Sequence, residues 1–205
     1  MKKEYKKPKI TINKVYTKKG DSGLTDLIGK YKVSKSDLRV KSYGELDELN
    51  SLIGGCKQML IEESCVSGDK EQLIKILLRI QNEIFNLGNM IATLDTKILE
   101  NMPRIDEDHL SNLEKDIDYY NEKLPILKSF VLPGRSMMNV WFHLARTVAR
   151  RCERTIVELS DSEKIDSLIL KYINRLSDAL FVWSRWVSLL KNEENNEELW
   201  DPNSL

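Results

Sequence analysis

Histidine is almost missing from this chain: there are 2 in 205 residues, beside 3 cysteines and 5 prolines. Three positions before His109 and His143 stand Asp106 and Val140, so the paired Glu-x-x-His motif of a di-iron bundle cannot be assembled. Cys56, Cys65 and Cys152 form no C-x-x-C pair, which removes the usual zinc spacing and leaves an odd set of thiols suited to a reducing compartment. No G-x-S-x-G elbow or Cys/His nucleophile pair occurs. A charge excess is missing too. Lys plus Arg and Asp plus Glu number 32 each, a balance that argues against a dedicated nucleic-acid binder. No apolar run approaches the roughly 18 residues that span a bilayer. The opening MKKEYKKPKI carries no apolar h-region of a secretory signal. The expectation is a cytoplasmic protein that partners neither membrane nor nucleic acid.

What the chain has is helical periodicity. Leu46, Leu49, Leu52, Ile53, Cys56, Met59 and Leu60 place one apolar face on a helix over about 42–63. Leu73, Leu77, Ile80, Ile84, Leu87 and Ile91 do the same over about 69–95. A weaker acidic helix is expected over about 106–122, and two more over about 135–159 and 165–191. Gly68-Asp69, Pro103 and Pro133-Gly134 punctuate them. The pattern predicts an all-α, five-helix antiparallel bundle as a single domain over 13–192. Before the first helix, ITI and VYT read as short extended pieces leading into a glycine loop. Residues 1–12 read as a basic mobile tail and 193–205 as an acidic one that frays or packs locally.

Three places carry chemistry beyond packing. On the helix over 135–159, Leu144, Ala145, Val148, Ala149, Cys152, Ile156 and Leu159 share one side. Arg146, Arg150 and Arg154 repeat at i, i+4 and i+8 roughly opposite, with Glu153 beside them. Like charges at that spacing repel by a few tenths of a kcal/mol per pair, so the stripe asks for an anion, and guanidinium forks suit phosphate oxygens. A solvated face or intersubunit salt bridges would also explain it. In the next helix Asn174, Arg175 and Asp178 lie off the core stripe and could meet a nucleotide or plain solvent. The loop Thr17-Lys-Lys-Gly-Asp-Ser-Gly-Leu-Thr25 could cradle polyphosphate on backbone N–H groups and ammonium charges, or be an ordinary turn. It is no Walker A motif, because Tyr31 follows Gly29-Lys30 where Ser or Thr is required. In the first helix, Glu45, Asp47 and Glu48 read as first-turn acids favoured by the helix dipole, while Asn50 and Ser51 hint at a polar contact with another helix or subunit.

Taken in order, TKKGDSGLTDLIG, VSKSDLRVKSYGELDELNSLIG, FVLPG, HLARTVARRCER and YINRLSDALFVWSR resemble the ATP:cob(I)alamin adenosyltransferase family of the propanediol-utilisation type, over almost all of 13–190. The resemblance implies a ferritin-like five-helix bundle, assembled as a homotrimer with active sites between subunits and an N-terminal loop closing over ATP. Thr17, Lys18, Lys19, Gly20 and Thr25 match the family's nucleotide loop, and Lys35 the lysine before its D-x-R-V segment. Arg150, Arg151, Glu153 and Arg154 match the R-R-x-E-R block that holds triphosphate and ribose, and Asn174 matches a nucleotide-contacting asparagine. Asp47 and Arg146 match an intersubunit salt bridge near the corrinoid, and Phe130 the aromatic that crowds the lower axial face of cobalt. Pro133-Gly134-Arg135 stands where the family usually has P-G-G, followed by bulky Met137 and Met138.

The implied reaction is attack of cob(I)alamin on C5′ of ATP, giving adenosylcobalamin and triphosphate, with Mg²⁺ on the phosphates. Co(I) is a strong nucleophile, so no general base is demanded. Arg150 and Arg154 would then stabilise the leaving triphosphate, and Phe130 would favour four-coordinate Co(II) on the way to Co(I). A reductase or an adenosylcobalamin-dependent enzyme is the further partner implied, and a bacterial microcompartment an implied setting. Two rivals remain: a non-catalytic corrinoid-delivery bundle, which predicts no ATP turnover, and a structural helical oligomer, which predicts no nucleotide binding.

Overall fold

The structure, a computed structural model, describes residues 13–65, 67–190 and 197–204. Its long helices are α1 (Leu38–Glu62), α2 (Gly68–Ala92), α4 (Glu107–Asn121), α5 (Met137–Ser162) and α6 (Ser167–Leu189). Each lies within a few residues of its expected span, because the apolar stripes are the faces that are buried. Leu73, Leu77, Ile80, Ile84, Leu87 and Ile91 are all in the core, and the hydrophobic cluster draws on all five. Between α2 and α4 lies the single turn α3 (Thr96–Leu99), which no periodicity foretold.

The start of α1 differs instructively. The Asp37 side chain accepts the Arg39 N–H at 2.8 Å and caps the helix about a turn earlier than expected. Glu45, Asp47 and Glu48 therefore lie beyond the first turn, which holds no acid, and the helix-dipole account of them is corrected. Two serve the α1–α5 contact instead: Glu45 accepts from Thr155 Oγ1 at 2.8 Å, and Glu48 pairs with Arg151.

Side-chain pairings give the helix directions. Along α1, residues 39, 45 and 48 meet 163, 155 and 151 of α5, so these two run antiparallel. Helix α4 is antiparallel to α2, since Asp69 meets Tyr119 and Arg79 meets Asp116. Against α6 it is parallel, with Glu114 on Arg175 and Tyr120 edge-on to Trp183 and Trp186. Successive long helices thus alternate as expected, yet five of them around one core must leave one neighbouring pair parallel.

ITI lies outside the described residues, and VYT forms no strand. The extended structure is instead a small hairpin of β1 (Leu24–Asp26) and β2 (Lys32–Ser34), pairing Thr25 with Val33. Its turn uses left-handed backbone at Gly29 (φ 96°) and Lys30 (φ 66°). Buried Leu27 and the Ile28 N–H, which donates to Ala92 O at 3.1 Å, moor the hairpin at the end of α2.

Candidate active site

Helix α5 begins at Ser136, whose Oγ accepts the Asn139 N–H at 3.1 Å. Just before it, Arg135 takes φ 63°, a left-handed conformation suited to glycine. The buried face of α5 includes Phe142, Ala145, Val148, Ala149, Cys152, Ile156 and Leu159. Leu144, expected on that face, is 47% exposed; it lies toward the edge, where a 100° step leaves it beside Thr147.

The other side of α5 carries the arginines. Arg146 is half-buried and its Nε donates to His143 Nδ1 at 3.4 Å; burial and then the Arg150 charge pull its pKa below the usual arginine range. Arg150 is exposed. Arg154 Nη1 donates to the Arg150 carbonyl at 3.1 Å, which fans the two side chains along one edge. Glu153 Oε1 accepts from Asn174 Nδ2 at 2.9 Å, joining this block to α6. Asp178 follows one turn after Asn174, and burial raises its carboxyl pKa against the lowering effect of Arg175 and Arg150. Arg151 faces the other way, toward α1, paired with Glu48.

Where α5 and α6 meet the Phe130 segment lies a cavity of about 650 Å³ lined by Phe130, His143, Arg146, Phe181 and Trp200. Phe130 is 78% exposed. His143 is buried and neutral: desolvation and then Arg146 push its pKa down to about 4. With Nδ1 accepting from Arg146, its Nε2 is a buried atom without a partner among the described residues. Trp200 belongs to the described part of the acidic tail, residues 197–204, which packs: Val131 is bridged antiparallel to Leu199. His143, Phe181 and Trp200 had no chemical spacing that could single them out, since a fold contact brings them to the cavity.

The glycine loop lies elsewhere on the chain. Lys18 is left-handed at φ 60°, Gly23 N donates to Gly20 O at 3.1 Å, and Lys35 N donates to Gly23 O at 2.8 Å. The Lys35 ammonium rests where a Cβ on Gly20 would come within 3.0 Å. Thr17, Lys18, Lys19, Gly20, Thr25 and Lys35 are thus gathered at the hairpin. Among the described residues, no hydrogen bond or ion pair joins them to Arg150, Arg154 or Asn174. Asp47 and Arg146 are likewise apart. Asp47 is exposed in a separate groove of about 280 Å³ between α1 and α2, beside Tyr43, Asn50 and Phe85.

The cobalamin adenosyltransferase family model matches residues 15–187. The chain belongs to that family. It is similar to the corrinoid adenosyltransferase of Bacillus subtilis, 42% identical over 175 residues, which cover 85% of this chain and 86% of the relative. It is 36% identical over 171 residues to the corrinoid adenosyltransferase PduO of Citrobacter freundii, covering 83% of this chain and 49% of that protein. Among solved structures, a variant PduO-type ATP:corrinoid adenosyltransferase from Lactobacillus reuteri, complexed with cobalamin and ATP, superposes with a TM-score of 0.81 at 36% identity, covering 92% of this chain and 97% of that one. The helical bundle matches that of this neighbour.

Proposed function

We propose that this chain transfers the 5′-deoxyadenosyl group of ATP to cob(I)alamin, forming adenosylcobalamin and releasing triphosphate. The observation that carries the reading is the placement of Arg154 and Arg150 along one edge of α5, one turn from Arg146 at the wall of the apolar cavity lined by Phe130. Arg150 and Arg154 hold the triphosphate, with two parallel hydrogen bonds available from each fork. Asn174 and Glu153 orient the ribose end. The loop residues Thr17, Lys18, Lys19, Gly20, Thr25 and Lys35 close over the phosphates from a neighbouring copy. Co(I) supplies the electron pair that forms the Co–C5′ bond while the C5′–O bond breaks toward triphosphate. The protein holds C5′ about 3–3.5 Å from cobalt, in line, a positioning effect worth several kcal/mol. Guanidinium charge placed against the negative charge developing on the leaving oxygens lowers the barrier further.

Among the described residues, no cluster of three or more His, Cys, Asp or Glu could hold a metal ion. In this reading Mg²⁺ enters as part of MgATP, on the phosphates. Phe130 excludes a lower axial ligand from Co(II), which favours four-coordinate cobalt and eases reduction by a separate reductase. Two observations support assembly as a homotrimer. Asp47 and Arg146 line different cavities of one chain, and among the described residues no hydrogen bond or ion pair joins the glycine loop to the arginine stripe. In this reading each pair is completed when one copy docks head to tail against the next, a contact that forms a ring where the rotation closes. Arg151, engaged with Glu48, holds the α1 edge of the site. No helix among the described residues is long and apolar enough to cross a membrane, and a cytoplasmic or microcompartment setting fits the reading.

The test is anaerobic absorbance of cob(I)alamin with the protein, with and without MgATP. Appearance of the alkylcobalamin spectrum only with MgATP is expected. Corrinoid binding without that change would leave a delivery role.

A further inference from the structure

Phe130 is not held by its own packing, being 78% exposed on a segment with no helix. What orders that segment is the C-terminal strap. The Leu132 N–H donates to Glu198 O at 2.7 Å and the Trp200 N–H to Phe130 O at 2.7 Å. Ser129 Oγ donates to Trp200 O at 2.8 Å, and the Trp200 ring stands edge-on to Phe130 at 6.3 Å. The strap is fastened in turn to α6. Arg185 Nε and Nη2 donate to the two carboxylate oxygens of Glu197 at 2.6 and 2.9 Å, with the side chains only 5% and 3% exposed. The same Nη2 donates to Pro125 O at 2.8 Å. One guanidinium therefore grips both the strap and the root of the Phe130 segment, one helical turn along α6 from the cavity residue Phe181.

A buried ion pair is a weak source of net stability, because desolvation offsets the attraction. Its fork geometry is instead a source of exact placement. We propose that Arg185 and Glu197 are positioning residues for Phe130: their buried pair, acting through the strap, sets how far the Phe130 ring projects into the corrinoid cavity. The proposal rests on the role of Phe130 given above. It extends the adenosyltransferase machinery to a latch outside the nucleotide and corrinoid contacts.

Two readouts separate the latch from that role. The first is amide hydrogen exchange of the free protein. In Glu197→Gln, exchange at Leu132 and Trp200 should rise at least tenfold while α6 amides keep their protection, and Glu197→Asp should restore much of it. Unchanged exchange at Leu132 and Trp200 would overturn the latch. The second is turnover begun from Co(II) against turnover begun from pre-reduced Co(I), with the electron paramagnetic resonance signal of four-coordinate Co(II) in the presence of MgATP. Glu197→Gln should lower the Co(II)-started rate about tenfold, keep the Co(I)-started rate within about threefold and weaken that signal. An equal loss in both rates, or an undiminished signal, would reduce the pair to a structural role and overturn the proposal. Phe130→Ala runs alongside: if it lowers both rates equally, the role of Phe130 fails, while the exchange measurement still decides the latch. Should Glu197→Gln not fold, Arg185→Lys keeps the charge, loses the fork, and carries the same expectations.

Discussion

Arg150 and His143 lie two helical turns apart on α5 and make opposite demands on a mutant. Arg150 is exposed and packs on little, so Arg150→Ala should leave the unfolding midpoint near that of the wild type. Loss of a charge-assisted phosphate contact is worth about 1.5–3 kcal/mol, so kcat/KM for ATP should fall about 10- to 100-fold; an unchanged value would remove Arg150 from the triphosphate. His143 is buried at the cavity wall with a pKa of about 4, against an ordinary value of 6.5. Below about pH 6.5 the unfolded chain binds a proton there that the folded one refuses until near pH 4. Stability must therefore fall as pH drops through that window, by up to ~1.4 kcal/mol per pH unit. Glu83, Asp116 and Asp178, whose pKa values burial raises, act in the opposite sense. The comparison that isolates the histidine is urea unfolding of wild type and His143→Gln at pH 7 and pH 5. The wild type should lose more stability on acidification than the variant, and parallel losses would count against a neutral buried imidazole. The arginine stripe was legible at this scale because its spacing alone sets it on one edge. Leu144 and the acids of α1 were misjudged, since a burial edge and a helix start depend on neighbours not adjacent in sequence.

Between elements, α1 and α5 approach closely at Gly55, where an added Cβ would lie 2.7 Å from the Trp141 ring. Alanine is the better helix former by about 1 kcal/mol, yet overpacking typically costs about 1–3 kcal/mol. Gly55→Ala should therefore lower Tm by a few degrees, and should cease to do so in a Trp141→Ala background. Calorimetry of the single and double variants checks this. The stripes that predicted the long helices are local properties, readable at a period of 3.6. The hairpin and the single turn α3 were not, because three-residue strands carry too little alternation to register. What holds the hairpin is the distant Ala92 carbonyl.

For the molecule as a whole, the proposed site draws on more than one copy. Asp47 opens on the α1–α2 groove and Arg146 on the α5–α6 cavity, and neighbouring Phe85 and Leu78 leave apolar surface exposed at 65% and 52%. Sedimentation should give a trimer in the wild type. Asp47→Asn should weaken corrinoid affinity at least several-fold or shift mass toward monomer at low concentration. A variant normal in both respects would dissolve the proposed bridge to Arg146.

Local order was thus settled by the sequence itself: which segments coil, which sides of them are greasy, and which edge bears guanidinium groups, because each depends on residues within a turn or two. Tertiary structure alone decided the rest. Closing five rods around one core forced α4 and α6 to run parallel. It brought His143, Phe181 and Trp200 to one cavity and matched Arg185 with Glu197, contacts that pattern-reading cannot supply because their geometry exists only once the helices have packed.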